Sequence, residues 1–245
     1  MTRIYGKPVD LDAEKVHAFF EKRGQSINAK HPVTSVLYQD HDPQLAERRD
    51  AYEKARILPL LGLHETASVL DIGCGIGRWA DALVGKVRRY HGIDFSESLV
   101  EAARKRHSAP GFSFQVLAAQ DARPSMLAVP GPFSHVLIAG VLIYLNDTDL
   151  LRSLASVAAC CASTARVYVR EPVARKERLT LNNFPSAELK SAYSAIYRTE
   201  AELLAAFQAR LLPSGFRITL NDQLYHDDMN NRSETAQRVF VLQRP

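Results

Sequence analysis

Cysteine is scarce in this sequence, with three in 245 residues. Cys160 and Cys161 are neighbours and Cys74 stands in a glycine-rich stretch. There is therefore no CxxC pair for zinc or redox chemistry and no disulfide framework. The expectation is a reducing, cytoplasmic setting, in a chain long enough to bury a core without disulfides or a structural metal. Long apolar runs are also lacking. The longest uncharged one, Val136 to Leu145, is half of the roughly 20 residues that a membrane helix needs. The first ten residues have no apolar region of the secretory kind, so no membrane partner is expected. An excess of one charge is missing as well: 31 Lys and Arg stand against 27 Asp and Glu. The basic clusters (Arg48-Arg49, Arg88-Arg89, Arg104-Lys105-Arg106, Arg175-Lys176) are short and have acids close by. That is the pattern of solvated faces, not the concentrated basic face of a nucleic-acid binder.

What is present is the composition of an ordinary globular protein, 46% hydrophobic and 24% charged, without repeats or low-complexity tracts. Up to about residue 64 the sequence reads as helical. Asp12 precedes Val16, Phe19 and Phe20 at helical spacing, with Gly24 ending the run. Asp42-Pro43 is an N-cap followed by proline at the first helical position, opening a helix to about Leu60. The middle of the chain alternates strand and helix as parallel βαβ units do. Strands are expected at 67–72, 89–94, 112–117, 133–139 and 166–170, and helices at 78–84, 97–107 and 147–161. Residues 171–198 hold Pro, Asn and aromatic residues and read as an irregular cover insertion. Thr199 and Glu202 form a capping box for a further helix, and two strands, 216–220 and 238–243, finish the chain across a long polar link.

The informative stretch is Val69-Leu-Asp71-Ile-Gly73-Cys-Gly75-Ile-Gly77-Arg78-Trp79. It follows a strand and opens a helix, the setting in which a glycine pattern carries meaning. Glycines let the backbone turn sharply and approach a ligand, and the helix start adds free N–H groups. A dinucleotide fingerprint would read G-x-G-x-x-G. Here the spacing is G-x-G-x-G with Asp71 two residues ahead, a carboxylate that would repel a pyrophosphate and accept from a cation. Asp94 ends the second strand, seventeen residues after Gly77, where an acid can accept both hydroxyls of a ribose. Gln120-Asp121 follows the third strand, where an acid can accept an adenine amino group. The fourth strand runs into Gly140 and Tyr144, bringing apolar and aromatic surface to the carboxyl ends of the sheet, where open α/β sheets bind ligands.

These residues resemble the class I S-adenosylmethionine-dependent methyltransferases, by motif over about residues 65–170 and by strand pattern to the C-terminus. The resemblance implies an α/β, Rossmann-like, seven-stranded and mostly parallel sheet. It would have helices on both faces, an antiparallel last strand and a helical N-terminal cap. It divides the chain into a cap, 1–64, and a cofactor-binding domain, 65–245, with the cover insertion at about 171–198. It implies S-adenosylmethionine as cofactor and S-adenosylhomocysteine as product, bound by Asp71, Gly73, Gly75, Gly77, Arg78, Asp94, Phe95, Gln120, Asp121 and Gly140. Arg78, Tyr52 and Tyr38 are alternatives for the cofactor's carboxylate.

Missing motifs narrow the substrate. The (N/D)-P-P-(Y/F) tetrad of enzymes acting on exocyclic nitrogens of bases is absent after the fourth strand, as is a Pro-Cys nucleophile. Glu171-Pro172 stands where metal-dependent catechol-type enzymes have Asp-Asn, so no catalytic metal is expected. The partner expected is a small molecule, with the protein a monomer or homodimer that binds no nucleic acid. Candidate substrate residues are Tyr5, Tyr38, Tyr144, Arg170, Asn183, Tyr197 and Tyr225, with the link Tyr225–Arg232 near the substrate. His226 and Glu171 are the candidates for proton acceptance, needed for an alcohol oxygen and not for a nitrogen with a free lone pair. The lack of an unmistakable base favours N-methylation of a ring nitrogen in a planar heterocycle. Sugar or other natural-product O/N-methylation is the alternative, and a non-catalytic nucleoside-binding protein the more distant one.

Overall fold

The computed structural model describes residues 2–38, 41–186, 188–189, 191–226, 229–230 and 232–245. Seven strands form one sheet: β2 (Ser68–Ile72), β3 (Arg89–Asp94), β4 (Phe112–Val116), β5 (Phe133–Ala139), β6 (Cys161–Ala174), β9 (Arg217–Gln223) and β10 (Thr235–Arg244). Their spatial order is β4-β3-β2-β5-β6-β10-β9. The pairs β2–β3, β3–β4, β2–β5 and β5–β6 are parallel, and β10 runs antiparallel to both β6 and β9. Sequence order reverses at β2, with β3 on one side and β5 on the other, which makes β2 the topological switch point where such sheets open a ligand crevice.

Alternation along the strands separates two cores. Leu70, Ile72, Val136, Ile138 and Val169 face α6 (Asp147–Cys160) and α7 (Glu200–Arg210). Val69, Tyr90, Leu137 and Tyr168 face the opposite layer. That layer is built from α3 (Pro43–Leu61), α4 (Ala80–Leu83) and α5 (Glu97–Arg106). The register decides where the site lies. Ile72 pairs with both Ile93 and Ile138, Asp94 with Val116, and Ala139 with Arg170. The chain therefore leaves β2, β3, β4 and β5 at one level, delivering Gly73, Asp94, Leu117 and Gly140 to a common edge, with Glu171 of β6 beside Gly140.

Local signals explain the helices over that edge. Asp12 caps α1 (Ala13–Gln25) by accepting from the N–H groups of Glu14 and Lys15 at 3.1 and 3.2 Å. Asp42 caps α3 by accepting from Leu45 N at 3.0 Å. A one-turn helix, α2 (Thr34–Leu37), lies between them. The helix expected from Arg78 begins only at Ala80, because Gly77 has φ +77° and the chain is still turning there.

Two findings correct the reading of the flanks. Residues 171–198 are not irregular: β6 runs to Ala174, and β7 (Leu179–Ser186) and β8 (Ser191–Tyr197) form an antiparallel hairpin. The N-terminal segment is not wholly helical either, since β1 (Thr2–Tyr5) adds to that hairpin with Tyr5 opposite Leu179. A four-residue strand whose only partner is so distant in sequence leaves no local periodicity to read. Among the described residues no helix is long and apolar enough to cross a membrane.

Candidate cofactor cleft and acceptor pocket

The loop leaving β2 carries Gly73, Gly75 and Gly77, all at positive φ. The N–H groups of Gly73 and Cys74 donate to Ile93 O at 2.8 and 2.9 Å, and Gly75 N donates to Asp94 Oδ2 at 3.0 Å. A Cβ on Gly73 would stand 2.3 Å from Val141 Cγ2, and one on Gly75 2.7 Å from Val36 Cγ1. Both glycines are thus fixed by backbone conformation and by neighbours pressed against them. Above the loop opens a cleft of about 650 Å³, lined by Gly73, Gly75, Asp94, Phe95, Gln120 and Gly140. That volume lies within the range of small-molecule sites. Leu99, Val116 and Leu117 supply apolar wall, while Val16 and Phe20 of α1 and Val36 and Tyr38 from the α2 region close the top.

Among the described residues, Asp94 is the one carboxylate that the sheet gives this cleft. Burial pushes its pKa up to about 6, against the N–H groups of Ser96 and Gly75 that favour the charged form. Asp71 stands back from the cleft. Burial raises it to about 7, and it accepts from the Tyr90 hydroxyl. With Arg78 and Arg170 it borders a small space of about 30 Å³ under the glycine loop.

A second cavity, of about 80 Å³, adjoins the cleft and shares Val36, Tyr38, Gly140 and Tyr144 with it. Arg170, Tyr197 and Tyr225 also line it, so six expected substrate or cofactor residues converge there. Tyr193, at the start of the expected Tyr193–Tyr197 cover stretch, lines it too, as does Arg49, which the sequence does not place at the site. Nothing local marks Arg49 among the charges of α3. Tyr144 and Tyr193 share a 2.8 Å hydroxyl–hydroxyl hydrogen bond, and burial pushes both phenols well above their ordinary pKa.

Behind the cavity, Glu53 of α3 is fully buried and accepts from Arg78 Nη1 at 2.9 Å, Arg170 Nε at 3.3 Å and Tyr168 Oη at 2.7 Å. Burial opposes its charge, yet the two guanidinia hold its pKa down to about 2. Sequence reading missed Glu53 because its partners come from the glycine loop and β6.

Several expected site residues are placed elsewhere. Gly77 packs against His107, whose Cδ2 a Cβ would meet at 2.6 Å, and lines neither cavity. Arg78 is fully occupied by Glu53 and Asp50. Asp121 is turned outward to Arg152 at 3.0 Å. Tyr5 is exposed and donates to Glu234 at 2.8 Å. Asn183 sits at φ +49° in a bulge of β7, beside a separate surface groove. His226 is exposed, with its ring 6.1 Å from that of Tyr52. Glu171 is fully buried, and its oxygens accept from the N–H groups of Val141, Leu142 and Ile143 at 2.8, 2.9 and 3.3 Å. Although burial raises it to about 7, it is aimed at the loop after β5 and not at the acceptor pocket. It positions Gly140 to Tyr144 and is removed from the candidates for proton acceptance.

Comparison with known proteins agrees with this architecture. Residues 69–164 match the sequence model of a family described as a methyltransferase domain. Phosphoethanolamine N-methyltransferase 1 of Caenorhabditis elegans is 27% identical over 141 residues, covering 57% of this chain and 28% of that protein. The chain thus spans less than a third of that relative's length. Among solved structures, phosphoethanolamine N-methyltransferase 1 of Haemonchus contortus overlays with a TM-score of 0.72 at 19% identity, over 94% of this chain and 48% of that one. The 1,6-didemethyltoxoflavin-N1-methyltransferase of Burkholderia thailandensis overlays with a TM-score of 0.63 at 16% identity, over 99% and 95%. Over residues 69–164 this chain is thus similar to the methyltransferase domain family, and its seven-stranded sheet has the fold of these solved methyltransferases.

Proposed function

We propose that this protein transfers a methyl group from S-adenosylmethionine, bound in the cleft, to a small molecule held in the adjoining pocket. The observation that carries the reading is that the two cavities adjoin: Gly140 and Tyr144 border both. The described residues fit the cofactor. Asp94 offers a carboxylate at the end of β3 for a ribose, and Leu99, Val116 and Leu117 offer apolar walls for a purine. Asp71, bordering the small space under the glycine loop, offers an acid for the ammonium of an amino-acid tail. Neighbouring folds have been solved with S-adenosylhomocysteine bound, which supports the same assignment here.

S-adenosylmethionine supplies a methyl group already activated on a sulfonium sulfur. What remains for the protein is to hold the acceptor in line at about 3 Å and to exclude water. Glu171 fixes the Val141–Ile143 backbone beside the shared wall. Val36, Tyr38, Val16 and Phe20 cover the cleft. Among the described residues, those lining the acceptor pocket include no carboxylate and no imidazole, and the buried tyrosines are poor bases. That supports an acceptor needing no deprotonation by the enzyme, a nitrogen with a free lone pair. The finer reading, a ring nitrogen of a planar heterocycle such as a toxoflavin precursor, draws support from the aromatic lining and from the Burkholderia neighbour. The pocket's 80 Å³ weighs against it, because a bicyclic acceptor would have to displace tyrosine rings. A short acceptor fits the space as it stands. The three free cysteines, all buried, agree with a cytoplasmic protein.

Calorimetric titration with S-adenosylhomocysteine, with NADH as control, tests the cofactor assignment. Micromolar binding of the first alone is expected, followed by S-adenosylhomocysteine release in an assay with planar nitrogen heterocycles and with short amines at alkaline pH, where solvent has already taken the ammonium proton. Binding of NADH in preference would overturn it.

A further inference from the structure

The acceptor pocket is lined by three guanidinia, those of Arg49, Arg170 and Arg232, and among the described residues no carboxylate borders it. The cations come from three distant segments: α3, the end of β6 and the link before β10. Burial disfavours the charge on Arg49, with Arg232 and Arg170 adding to it and Tyr225 and Glu188 opposing it. Gathering like charges at one small, largely buried cavity is costly unless an anion joins them. Among the described residues, two acids that pair with these guanidinia lie outside the cavity's lining. Glu53 takes Arg170 Nε at 3.3 Å, and Glu188 takes Arg232 Nη2 at 3.3 Å. A Cβ on Gly140 would stand 2.7 Å from Arg170 Nη1, so this guanidinium runs directly beneath the glycine common to pocket and cleft. Arg232 Nη1 donates to Tyr197 Oη at 3.3 Å. Arg49 lies over the Tyr225 ring at 5.4 Å, and Tyr144 and Tyr193 add hydroxyls on the cofactor side. Planar guanidinia and phenol donors around a small volume are the groups that recognise an oxyanion.

We propose that the acceptor carries an oxyanion group (phosphate, phosphonate or carboxylate) which Arg49, Arg170 and Arg232 hold, so that its nucleophilic atom is presented past Gly140 and Tyr144 to the methyl donor. This rests on the methyltransferase reading and narrows its substrate class to short anionic molecules. The three guanidinia match the anion's charge, and the rest of a short acceptor extends toward Gly140 and Tyr144, which border both cavities.

The test is titration of the full chain with inorganic phosphate at constant ionic strength, with chloride as the control anion. It is run on the protein alone and on the protein saturated with S-adenosylhomocysteine. Saturable phosphate binding is expected in both states. It should weaken about tenfold or more, the worth of one charge-assisted hydrogen bond, in Arg232→Gln and in Arg49→Gln, while S-adenosylhomocysteine binding persists in each. Two variants are needed because Arg49 also donates to Met229 O, so its loss can disturb the link. Competition against 2-aminoethyl phosphate, 3-aminopropionate and 2-aminoethanol then separates phosphate from carboxylate, with the last expected not to compete. Protein that binds S-adenosylhomocysteine but neither phosphate nor 3-aminopropionate would overturn the proposal and leave the methyltransferase reading standing. Equal phosphate affinity in both variants would also overturn it. Displacement of phosphate by S-adenosylhomocysteine would assign the guanidinia to the cofactor's own carboxylate, again overturning it. Phosphate binding with no S-adenosylhomocysteine binding would fell the methyltransferase reading, and the acceptor assignment with it.

Discussion

The cofactor cleft and the acceptor pocket share a wall but are built in different ways. The cleft is the product of consecutive parallel strands: Gly73, Asp94, Leu117 and Gly140 leave β2, β3, β4 and β5 at one level because the register sets them there. Each has a short-range reason to be where it is. The pocket has no such unit. Arg49 comes from α3, Arg170 from β6, Tyr193 and Tyr197 from the β8 arm of a hairpin, and Tyr225 and Arg232 from the link between β9 and β10. A region built by local order tolerates change in its neighbours. A region built by convergence depends on whatever holds the segments together.

The residue that joins the two is Glu53, and its removal has the largest expected effect. It is buried among Arg78 of the glycine loop, Arg170 of the pocket and Tyr168. Glu53→Ala leaves Arg170 without its buried counter-charge, which should cost about 3–5 kcal/mol, read as a lower urea midpoint. Its folded pKa of about 2 lies below the ordinary 4.5. Its contribution is therefore present above about pH 4.5 and lost as pH falls toward 2. The difference between wild type and Glu53→Ala, followed down that window, should shrink by about 3 kcal/mol. A difference that stays constant with pH would mean the carboxylate is not what joins the regions.

Asp94→Ala should be the largest change confined to the cleft. Losing a charged acceptor is worth about 1.5–3 kcal/mol, or roughly ten- to a hundredfold in S-adenosylhomocysteine affinity, with phosphate binding in the pocket retained. Equal loss of both ligands would break the comparison, showing that the cavities form one cooperative unit.

How far the sequence reveals each region follows from the same contrast. The glycine loop, Asp94 and the βαβ order could be read because their meaning lies in spacing along the chain: a turn needs its glycines in succession, and a parallel strand needs its apolar run. Gly77 and Asp121 were assigned to the cleft on motif position, yet one packs against His107 and the other pairs with Arg152. A motif fixes backbone path more surely than side-chain direction. Tyr197 and Tyr225 could be placed near the acceptor because their segments must return to the carboxyl ends of the strands. Arg49 and Glu53 could not, since an arginine and a glutamate on a helix look solvated until their partners arrive, those of Arg49 from the link before β10 and those of Glu53 from β6 and the glycine loop. The same holds for β1, whose pairing with β7 has no trace in its own four residues.

A pH titration sharpens the contrast by a smaller amount. Burial raises Asp94 to about 6 from 3.8, and a ribose requires the ionised form. S-adenosylhomocysteine affinity should therefore hold above about pH 6 and fall about tenfold per unit below it. The fold responds with the opposite sign. A carboxyl raised by folding contributes stability that is fully present below its unfolded pKa and is lost as pH rises through about 6. Acidification from 7 to 5 should weaken the ligand while relieving the strain of a buried charge at this residue. Calorimetry on Asp94→Asn supplies the control: its weaker binding should be flat across the same range, and a parallel fall would assign the titration to another group.

The smallest predicted effect isolates the pocket. Tyr193→Phe removes the hydroxyl bonded to Tyr144 at 2.8 Å and keeps the ring that packs against Phe19 and Tyr38. A neutral hydrogen bond is worth about 1 kcal/mol net, so phosphate affinity should drop by roughly fivefold. The cleft should not notice, because Tyr193 borders only the pocket whereas Tyr144 borders both cavities. If S-adenosylhomocysteine affinity falls as much as phosphate affinity, the Tyr144–Tyr193 bond sets the position of the shared wall. The wall would then be the element through which an acceptor bound on one side orders the methyl donor on the other. If only phosphate affinity falls, the two cavities recognise their ligands separately, and the wall serves as a fixed partition that brings the acceptor atom to the methyl group.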